Sequence, residues 1–388
     1  MDAFQSRDDA KDIVKIVKVL FVFGTRPEAI KLAPVFLRLR GRPERFEARV
    51  CVTAQHRGML DQALSVFGIV PDYDLNLMQW GQTLSQVTAR AIEALEPVIR
   101  IEHPDMVLVQ GDTTTTLAGA LAAFYQDIPV GHVEAGLRTG DMTQPFPEEM
   151  NRVVAGRLSA LHFAPTAGAA ANLRAEGVPE ERIIVTGNTG IDAVMHVRDL
   201  IEAGRLSGFE VPAAAAGRKL IAVTTHRRES FGEGIESICR ALARLAARDD
   251  VHVVLPVHRN PNVLDVVTRN LGGERNVTLL EPLGYVPFVD LMRRAHLLIT
   301  DSGGVQEEGP SFGKPVLVMR EKTERPEAVE AGTSMLVGTD ADRIYGAAAR
   351  LLEDEGAYGR MARAGNPYGD GHASERIADA LARFRLGV

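Results

Sequence analysis

The sequence predicts an α/β protein with two Rossmann-like, doubly wound domains that face each other across a cleft. Short, continuously apolar runs alternate with longer helical patterns along most of the chain, which is typical of βαβ units. The runs are apolar on both faces, as expected for parallel strands that helices cover on each side. At 388 residues, the chain exceeds the size that one hydrophobic core usually organises, so two cores are expected.

The individual strands follow from these runs. In residues 16–187 we expect strands near residues 18–23, 49–53, 106–110, 128–132, 160–164 and 183–187, with helical patterns such as 84–99 and 114–125 between them. In residues 188–373, after a small-residue stretch at 213–217, we expect strands near 219–223, 251–256, 277–280, 296–300 and 315–319. Ligands of such sheets bind beyond the carboxyl ends of the strands, so the cleft between the domains is the expected site.

Bulk properties exclude several functions. The net charge of -7 argues against a nucleic-acid partner or an anionic membrane surface. No apolar run is long enough to span a bilayer, and residues 1–12 lack an apolar signal core, so we expect a cytoplasmic enzyme with no membrane partner. Cys51 and Cys239 lie in apolar segments without metal-ligand spacing, which favours buried, unreactive thiols.

One candidate anion site lies where the first strand passes into a helix. Thr25 can cap this helix and Pro27 fits its first turn, so Arg26 and Lys31 lie beside a helix N-terminus. Free N–H groups together with a guanidinium suit a phosphate group. An ordinary capped helix with solvated charges explains the same residues equally well.

Three carboxylates stand at strand ends or helix starts of the first half: Asp112, Glu134 and Glu148. Each has a structural explanation, since acidic residues cap helices and favour their first turns. Together they are expected at one edge of one sheet, where converging carboxylates indicate proton transfer or metal binding. Mg²⁺ with a diphosphate would suit such acids. No metal-binding motif accompanies them, so acid/base chemistry without a metal is the preferred interpretation.

The second half carries cationic and glycine-bearing loops at its strand ends. His226 and Arg227 follow one strand and form a possible phosphate-contacting cluster, although a lone histidine is more often structural. Ser302-Gly303-Gly304 joins a strand to a helix, so its backbone N–H groups could approach a diphosphate. Glu308 could accept hydrogen bonds from ribose hydroxyls, and Arg325 lies in a further charged loop. The dinucleotide and P-loop fingerprints are absent, which disfavours NAD and ATP.

These motifs occur in an order that resembles the non-hydrolysing bacterial UDP-N-acetylglucosamine 2-epimerases. The resemblance runs from about Lys18 to the C-terminus. It rests on residues 23–31, 111–116, 132–139, 147–152, 225–232, 301–308 and 323–327. It implies the two-domain fold of GT-B glycosyltransferases, with residues 374–388 packing back onto the N-terminal domain. It also implies a homodimer, a cleft that closes on the substrate, and no NAD, metal or other cofactor.

The resemblance further assigns roles to residues. Catalytic roles fall to Asp112, Glu134, Glu148 and His226. The partners UDP-N-acetylglucosamine and UDP would be bound by Arg26, Lys31, Arg138, Arg227, Ser302, Gly303, Gly304, Glu308 and Arg325. Some family members are activated by substrate at a second site, which implicates Gln55, His56 and His258 here. Gly58 and Gly81, however, stand where activated members carry Gln and Arg.

The implied reaction eliminates UDP from the sugar and adds it back after carbon 2 is inverted. Three alternatives share the UDP site. A GT-B glycosyltransferase would need an acceptor pocket, a hydrolysing epimerase would release free sugar, and a nucleotide-sugar sensor could dispense with the carboxylates.

Overall fold

The computed structural model describes residues 16–54 and 57–384. Two entirely parallel sheets organise these residues. The described strands of the first sheet are β1 (Val17–Phe23), β2 (Phe46–Val52), β3 (Tyr73–Asp74), β4 (Met106–Gln110), β5 (Val130–Val133), β6 (Leu161–Ala164) and β7 (Ile183–Val185). Their order is β3-β2-β1-β4-β5-β6-β7, so the chain reverses direction across the sheet between β1 and β4.

Helices cover both faces of this sheet, which explains why β1 and β4 are continuously apolar. The helices of this half are α1 (Arg26–Arg40), α2 (Arg57–Val66), α3 (Leu84–Glu102), α4 (Thr114–Phe124), α5 (Glu148–Leu158), α6 (Ala167–Ala175) and α7 (Thr189–Glu202). Phe21 of β1 packs edge to face against Phe36 of α1, with ring centroids 5.6 Å apart. Leu20 and Val22 of the same strand belong to the core on the opposite face.

The second sheet repeats the same plan. Its described strands are β8 (Lys219–Thr224), β9 (Val251–Pro256), β10 (Val277–Leu280), β11 (Leu297–Thr300), β12 (Val316–Val318) and β13 (Ser334–Leu336), in the order β10-β9-β8-β11-β12-β13. The accompanying helices are α8 (Glu233–Ala246), α9 (Pro261–Leu271), α10 (Tyr285–Arg294), α11 (Gly303–Glu308), α12 (Pro326–Glu330), α13 (Ala341–Glu353) and α14 (Glu355–Ala362). Here the chain reverses direction between β8 and β11.

The last described helix, α15 (Ala373–Arg383), returns to the first half and packs on α1 and α7. The buried carboxylate of Asp192 in α7 fixes its start, because it accepts hydrogen bonds from the amides of Ala373 at 3.2 Å and Ser374 at 2.7 Å. The Ser374 hydroxyl donates to the same carboxylate at 2.6 Å. These hydrogen bonds attach α15 to α7.

The predicted fold class is confirmed: both halves are doubly wound α/β layers. The predicted strands all occur, with β4, β9 and β10 at the predicted bounds. Two short edge strands, β3 and β13, were not predicted because neither contains a continuous apolar run. The division at residue 187 remains a prediction, although β7 does end at Val185 and α7 begins at Thr189.

Candidate active site

The candidate site lies beyond the carboxyl ends of four strands at the reversal points of the two sheets. In the first sheet, β1 leads to Arg26 and β4 leads to Asp112. In the second, β8 leads to His226 and β11 leads to Ser302. Neighbouring parallel strands with diverging connections leave a crevice at such a point, where ligands of α/β sheets bind. Both halves of the predicted site therefore begin at the positions that the topology favours.

Two cavities open there. The larger, of about 1090 Å³, is lined by residues of both halves, which include Asp112, Glu134, Arg138, Arg152, Arg227, Arg325 and Glu327. The smaller, of about 380 Å³, is lined by residues that include Arg26, Lys31, Tyr285, Phe288, Ser302, Gly304 and Glu308. Arg325 lines both cavities. The first is rich in carboxylates and the second in groups that suit a nucleotide.

Glu28 shapes the start of α1. Its buried carboxylate accepts hydrogen bonds from the amides of Gly24 at 3.1 Å and Thr25 at 2.8 Å, which completes the capping box with Thr25. It also accepts one from the Thr113 hydroxyl at 2.7 Å. Because Glu28 joins the loops after β1 and β4, Arg26 and Asp112 are carried by loops that are tied together.

The loop that carries Asp112 is held at three successive carbonyls. Each accepts a hydrogen bond from a different element: Gln110 from the Thr116 hydroxyl at 2.6 Å, Gly111 from His132 Nε2 at 2.7 Å, and Asp112 from Asn151 Nδ2 at 2.9 Å. Gly111 has φ +72°, a left-handed conformation that glycine adopts readily. Burial lowers the pKa of His132 to about 3, so its ring is neutral and donates through Nε2. The backbone of Asp112 is thus fixed by residues of α4, β5 and α5.

The Asp112 carboxyl group is set for proton transfer near neutral pH. Burial raises its pKa to about 6, with smaller raising contributions from Glu134 and Glu148. The guanidinium of Arg152 opposes this rise, with Nη2 3.1 Å from Asp112 Oδ2. A carboxyl group with such a pKa can both take up and release a proton at physiological pH.

Glu134 faces Lys31. Its backbone has φ +66°, which is uncommon for a residue other than glycine, and its carboxylate pairs directly with Lys31 Nζ. Desolvation acts to lower the pKa of Lys31, but Glu134 and Glu307 outweigh it and raise that pKa. Lys31 is therefore a fixed positive charge between the two cavities.

Glu148 and Glu149 are the first two residues of α5, and they have different roles. Glu149 is buried and accepts hydrogen bonds from the amides of Thr139 at 3.0 Å and Gly140 at 3.1 Å. Its second oxygen lies 3.3 Å from Arg152 Nε. Glu148 is only partly buried and acts electrostatically on Asp112. The predicted acid is thus the less buried of the pair, while its neighbour organises the loop.

Arg138 lines the larger cavity, but its guanidinium already has partners. Nε and Nη2 donate to the two oxygens of Glu176 at 2.6 Å and 3.1 Å, and Nη1 donates to the carbonyl of Leu137 at 2.7 Å. The side chain is 9% exposed. A ligand contact from Arg138 would have to share a guanidinium that this bidentate pair occupies.

In the second half, the loop with His226 and Arg227 rests on Asp301. The wholly buried carboxylate of Asp301 accepts hydrogen bonds from the amides of His226 at 2.7 Å and Arg227 at 2.8 Å. The His226 ring contacts the same carboxylate, with Nδ1 3.0 Å from Oδ1. His258 stacks near His226, with ring centroids 6.1 Å apart. Gln55 and His56, predicted for the same second site as His258, lie outside the described residues.

Ser302, Gly303 and Gly304 begin α11 beside the Arg325 side chain. A Cβ atom at Gly303 would lie 3.5 Å from that guanidinium, an ordinary van der Waals distance, so the Arg325 side chain lies directly beside this backbone. One turn further, burial raises the pKa of Glu308 to about 8, and the neighbouring Glu307 adds to the rise. Glu308 is therefore mostly protonated at neutral pH in this arrangement.

Glu307 links α11 to the residue before α7 and to the residue before α12. It accepts hydrogen bonds from Asn188 Nδ2 at 2.9 Å and from Arg325 Nε at 2.5 Å. Sequence reasoning missed Glu307, together with Arg152 and Asp301. Their only signal was proximity to the assigned residues, since Arg152 follows Glu148 by one helical turn and Asp301 immediately precedes Ser302.

The described residues contain neither a metal-binding cluster nor a membrane-spanning helix. Within residues 16–54 and 57–384, no group of three or more His, Cys, Asp or Glu side chains could hold a metal ion. In the same segments, no helix has the length and apolar character needed to cross a membrane.

Comparisons with known proteins place the chain in a family. Residues 38–382 match the family model described as UDP-N-acetylglucosamine 2-epimerase. The UDP-N-acetylglucosamine 2-epimerase of Salmonella typhimurium is 58% identical over 377 residues, which cover 96% of this chain and 100% of that protein. The enzyme of that name from Escherichia coli K12 is 57% identical with the same coverage. A crystal structure of UDP-GlcNAc 2-epimerase from Neisseria meningitidis bound to UDP-GlcNAc superposes with a TM-score of 0.82 at 48% identity, covering 95% of this chain and 100% of that one. The chain therefore belongs to the UDP-N-acetylglucosamine 2-epimerase family.

Proposed function

We propose that the protein interconverts UDP-N-acetylglucosamine and UDP-N-acetylmannosamine without hydrolysis, by inverting carbon 2 of the sugar. The observation that carries this proposal is the pairing of two unlike cavities. Asp112 and Glu134 line one, and Ser302, Gly304 and Glu308 line the other, with Arg325 common to both. A ligand that needs both proton transfer at a sugar and binding of a diphosphate nucleotide suits this arrangement. The product would supply sugars of the N-acetylmannosamine type to cell-surface polysaccharide synthesis.

Carbon 2 bears no neighbouring carbonyl, so its proton becomes acidic only as the bond between carbon 1 and the UDP oxygen stretches. Positive charge then develops on the ring while negative charge collects on the departing diphosphate. Cationic and polar groups around the diphosphate stabilise that charge, a task we assign to Arg26, His226 and Arg325. UDP leaves with the bonding electron pair, a carboxylate takes the proton from carbon 2, and a glycal remains beside bound UDP.

The second stage reverses the first on the other face. A carboxyl group returns a proton to carbon 2 from the opposite side, and UDP adds back to carbon 1. Because the proton leaves one face of the sugar ring and returns on the other, acid/base groups are needed on both sides. We assign this role to the three carboxylates Asp112, Glu134 and Glu148. Asp112 is best suited to both directions, because its pKa of about 6 lets it exist in either form. No external acid, base or metal enters the balance.

The nucleotide would occupy the smaller cavity. We propose that Ser302 with the amides of Gly303 and Gly304 holds the diphosphate, while Glu308 contacts the ribose. Lys31 would contact the sugar end, since it pairs with Glu134 at the junction of the two cavities. Arg227 and Arg138 would line the approach to the sugar.

We also propose a cytoplasmic homodimer. Its support within the described residues is an apolar surface formed where α3 and α4 end, with Ile101, Phe124 and Tyr125 exposed by 72%, 54% and 68%. Exposed apolar patches of this kind commonly mark protein interfaces. Light scattering on a sizing column tests the dimer: a monomer at micromolar concentration contradicts it.

The central test is to incubate the protein with UDP-N-acetylglucosamine in D₂O, without added metal or NAD, and to follow products by NMR. We expect UDP-N-acetylmannosamine that carries deuterium at carbon 2, because the proton exchanges with solvent through the carboxyl groups. Free N-acetylmannosamine with UDP would indicate a hydrolysing epimerase. Turnover only with an added sugar acceptor would indicate a glycosyltransferase, and either result overturns the proposal.

The carboxylates are tested by amide substitutions that keep their shape. We expect most turnover to be lost in each of Asp112→Asn, Glu134→Gln and Glu148→Gln. Calorimetry should show that each variant binds UDP with an affinity close to that of the wild type. Asp342→Asn is the matched control, since Asp342 lies on the surface with its side chain 88% exposed. Wild-type rates in all three site variants would refute the acid/base assignment.

A further inference from the structure

His226 and Asp301 form a contact that the proposed reaction does not itself require. Asp301 is wholly buried, whereas 42% of the His226 side chain is exposed. Oδ2 of Asp301 accepts hydrogen bonds from the amides of His226 and Arg227 and from the Thr225 hydroxyl, at 2.7, 2.8 and 3.2 Å. Oδ1 lies 3.0 Å from Nδ1 of His226, but the two atoms are not aligned as a hydrogen bond, and Oδ1 receives none from the described residues. The carboxylate therefore holds the backbone of His226 through Oδ2, and its unpaired Oδ1 lies beside the ring of the same residue.

The division of donors between the two oxygens fixes their roles. Oδ2 already receives three donors, which is close to what one carboxylate oxygen accepts. Oδ1 is buried, so leaving it without a donor is energetically unfavourable. The His226 ring is the available donor, and it satisfies Oδ1 only if Nδ1 carries a hydrogen. Although desolvation acts to raise the pKa of Asp301, its hydrogen bonds from His226 and Arg227 outweigh it and lower that pKa, consistent with an ionised carboxylate.

We infer that Asp301 is a positioning residue that keeps the proton of neutral His226 on Nδ1. The ring nitrogen that faces away from Asp301, Nε2, is then the one that gains or loses a proton. Neutral His226 with its hydrogen on Nδ1 presents an acceptor at Nε2. A neutral imidazole held the other way would keep a hydrogen on Nε2 and could accept no proton there.

The position of Asp301 in the chain connects the His226 tautomer to the nucleotide cavity. Asp301 immediately precedes Ser302, which lines that cavity, so the residue that sets the His226 tautomer also anchors the start of α11. His258, with its ring centroid 6.1 Å away, and the adjacent Arg227, which pairs with Glu324, also lie near the imidazole. The role of His226 toward a diphosphate rests on the proposed function, whereas the tautomer does not.

The test uses the full-length protein with ¹⁵N-labelled histidine and two-bond ¹H–¹⁵N spectra, recorded at alkaline pH where the imidazole is neutral. His226→Gln identifies the signals of His226 by their loss. We expect the Nδ1–H tautomer in the wild type. A predominant Nε2–H tautomer would overturn the inference from the wild-type spectrum alone, even if a variant failed to fold.

Asp301→Asn should invert the tautomer. Its carboxamide oxygen must still accept from the two amides, so its NH₂ group faces the ring and requires Nδ1 to be an acceptor. Thr225→Val is the matched control, because it removes one donor to Oδ2 and leaves the ring contact in place. We expect the Nδ1–H tautomer in Thr225→Val and Nε2–H in Asp301→Asn. An unchanged tautomer in Asp301→Asn refutes the inference.

Kinetics separates positioning from general stability. Asp301→Asn should lower kcat about 10- to 100-fold while KM and the Kd for UDP change less than about threefold, because the amide contacts survive. Equal losses in kcat and UDP affinity would indicate a structural role and contradict positioning. If the protein shows the expected tautomers but no epimerisation, the proposed function fails and the Asp301 inference stands.

Discussion

Arg152→Gln should move the acid limb of the pH–rate profile to higher pH. Arg152 places Nη2 3.1 Å from Asp112 Oδ2, and it is the largest influence that opposes the raised pKa of Asp112. Glutamine retains a polar side chain of similar reach but has no charge. The ionised form of Asp112 would lose its nearest cation, so its pKa should rise above the present value of about 6.

The size of the shift follows from the distance. Two unit charges 3.1 Å apart interact by about 1.3 kcal/mol at the dielectric constant of water. That energy corresponds to roughly one pKa unit. The side chains of Arg152 and Asp112 are only 12% and 33% exposed, so the water value is a lower bound on their interaction. We therefore expect the pKa of Asp112 to rise to at least about 7 in Arg152→Gln.

The assay is kcat/KM for UDP-N-acetylglucosamine between about pH 5 and pH 9, which reports groups of the free enzyme. Activity that needs ionised Asp112 should fall below about pH 6 in the wild type and below about pH 7 in Arg152→Gln. Arg152→Lys retains the charge and should shift less. Thermal unfolding checks that the lost contact with Glu149 has not unfolded the loop. An acid limb that stays within about 0.3 units of the wild type would refute this reasoning.

Three further outcomes follow from buried groups. Glu308→Gln should raise Tm above that of the wild type, and by more at pH 8 than at pH 5. Between the ordinary pKa of 4.5 and about 8, folded wild-type protein holds a proton on Glu308 that the unfolded chain releases, so the wild type loses stability as the pH rises. An equal Tm difference at both pH values would contradict this. His132→Phe should lower kcat about tenfold with little change in KM, since the Gly111 carbonyl loses its donor; unchanged kcat would contradict it. Asp192→Ala should cost about 2–3 kcal/mol in urea unfolding, against about 1 for Ser374→Ala, because it removes three hydrogen bonds rather than one; equal losses would contradict it.

Much of the fold was predictable because parallel strands carry a strong local signal. The run that became β1 is apolar on both faces, and β4 ends at the predicted residue, Gln110. The edge strands β3 and β13 carry no such signal. β3 consists of Tyr73 and Asp74, and it is defined by pairing with β2 rather than by its own composition. Strands of this kind depend on a neighbour that local sequence does not identify.

The candidate site was predictable where it depends on strand ends and less so where it depends on distant partners. Asp112 and Ser302 follow strands, so topology alone brings them to the cleft. Glu307 meets Asn188 across 119 positions, and Asp301 meets the His226 amide across 75. Conversely, the family resemblance assigned Arg138 a ligand contact, yet its guanidinium is engaged by Glu176. The sequence indicates which side chains could bind a ligand, whereas the folded structure shows which of them are already paired with other residues.

The return of α15 to α1 has a consequence for synthesis. Ile377 and Leu381 of α15 belong to the same apolar core as Val35 and Leu39 of α1, so two helices far apart in sequence pack together in the first domain. Domains usually fold in the order in which the ribosome makes them. The first domain cannot be completed before the second is made, since part of α1 remains uncovered until α15 emerges from the ribosome. A message truncated before residue 373 would therefore yield a first domain with exposed apolar surface, prone to aggregation although its sheet is intact.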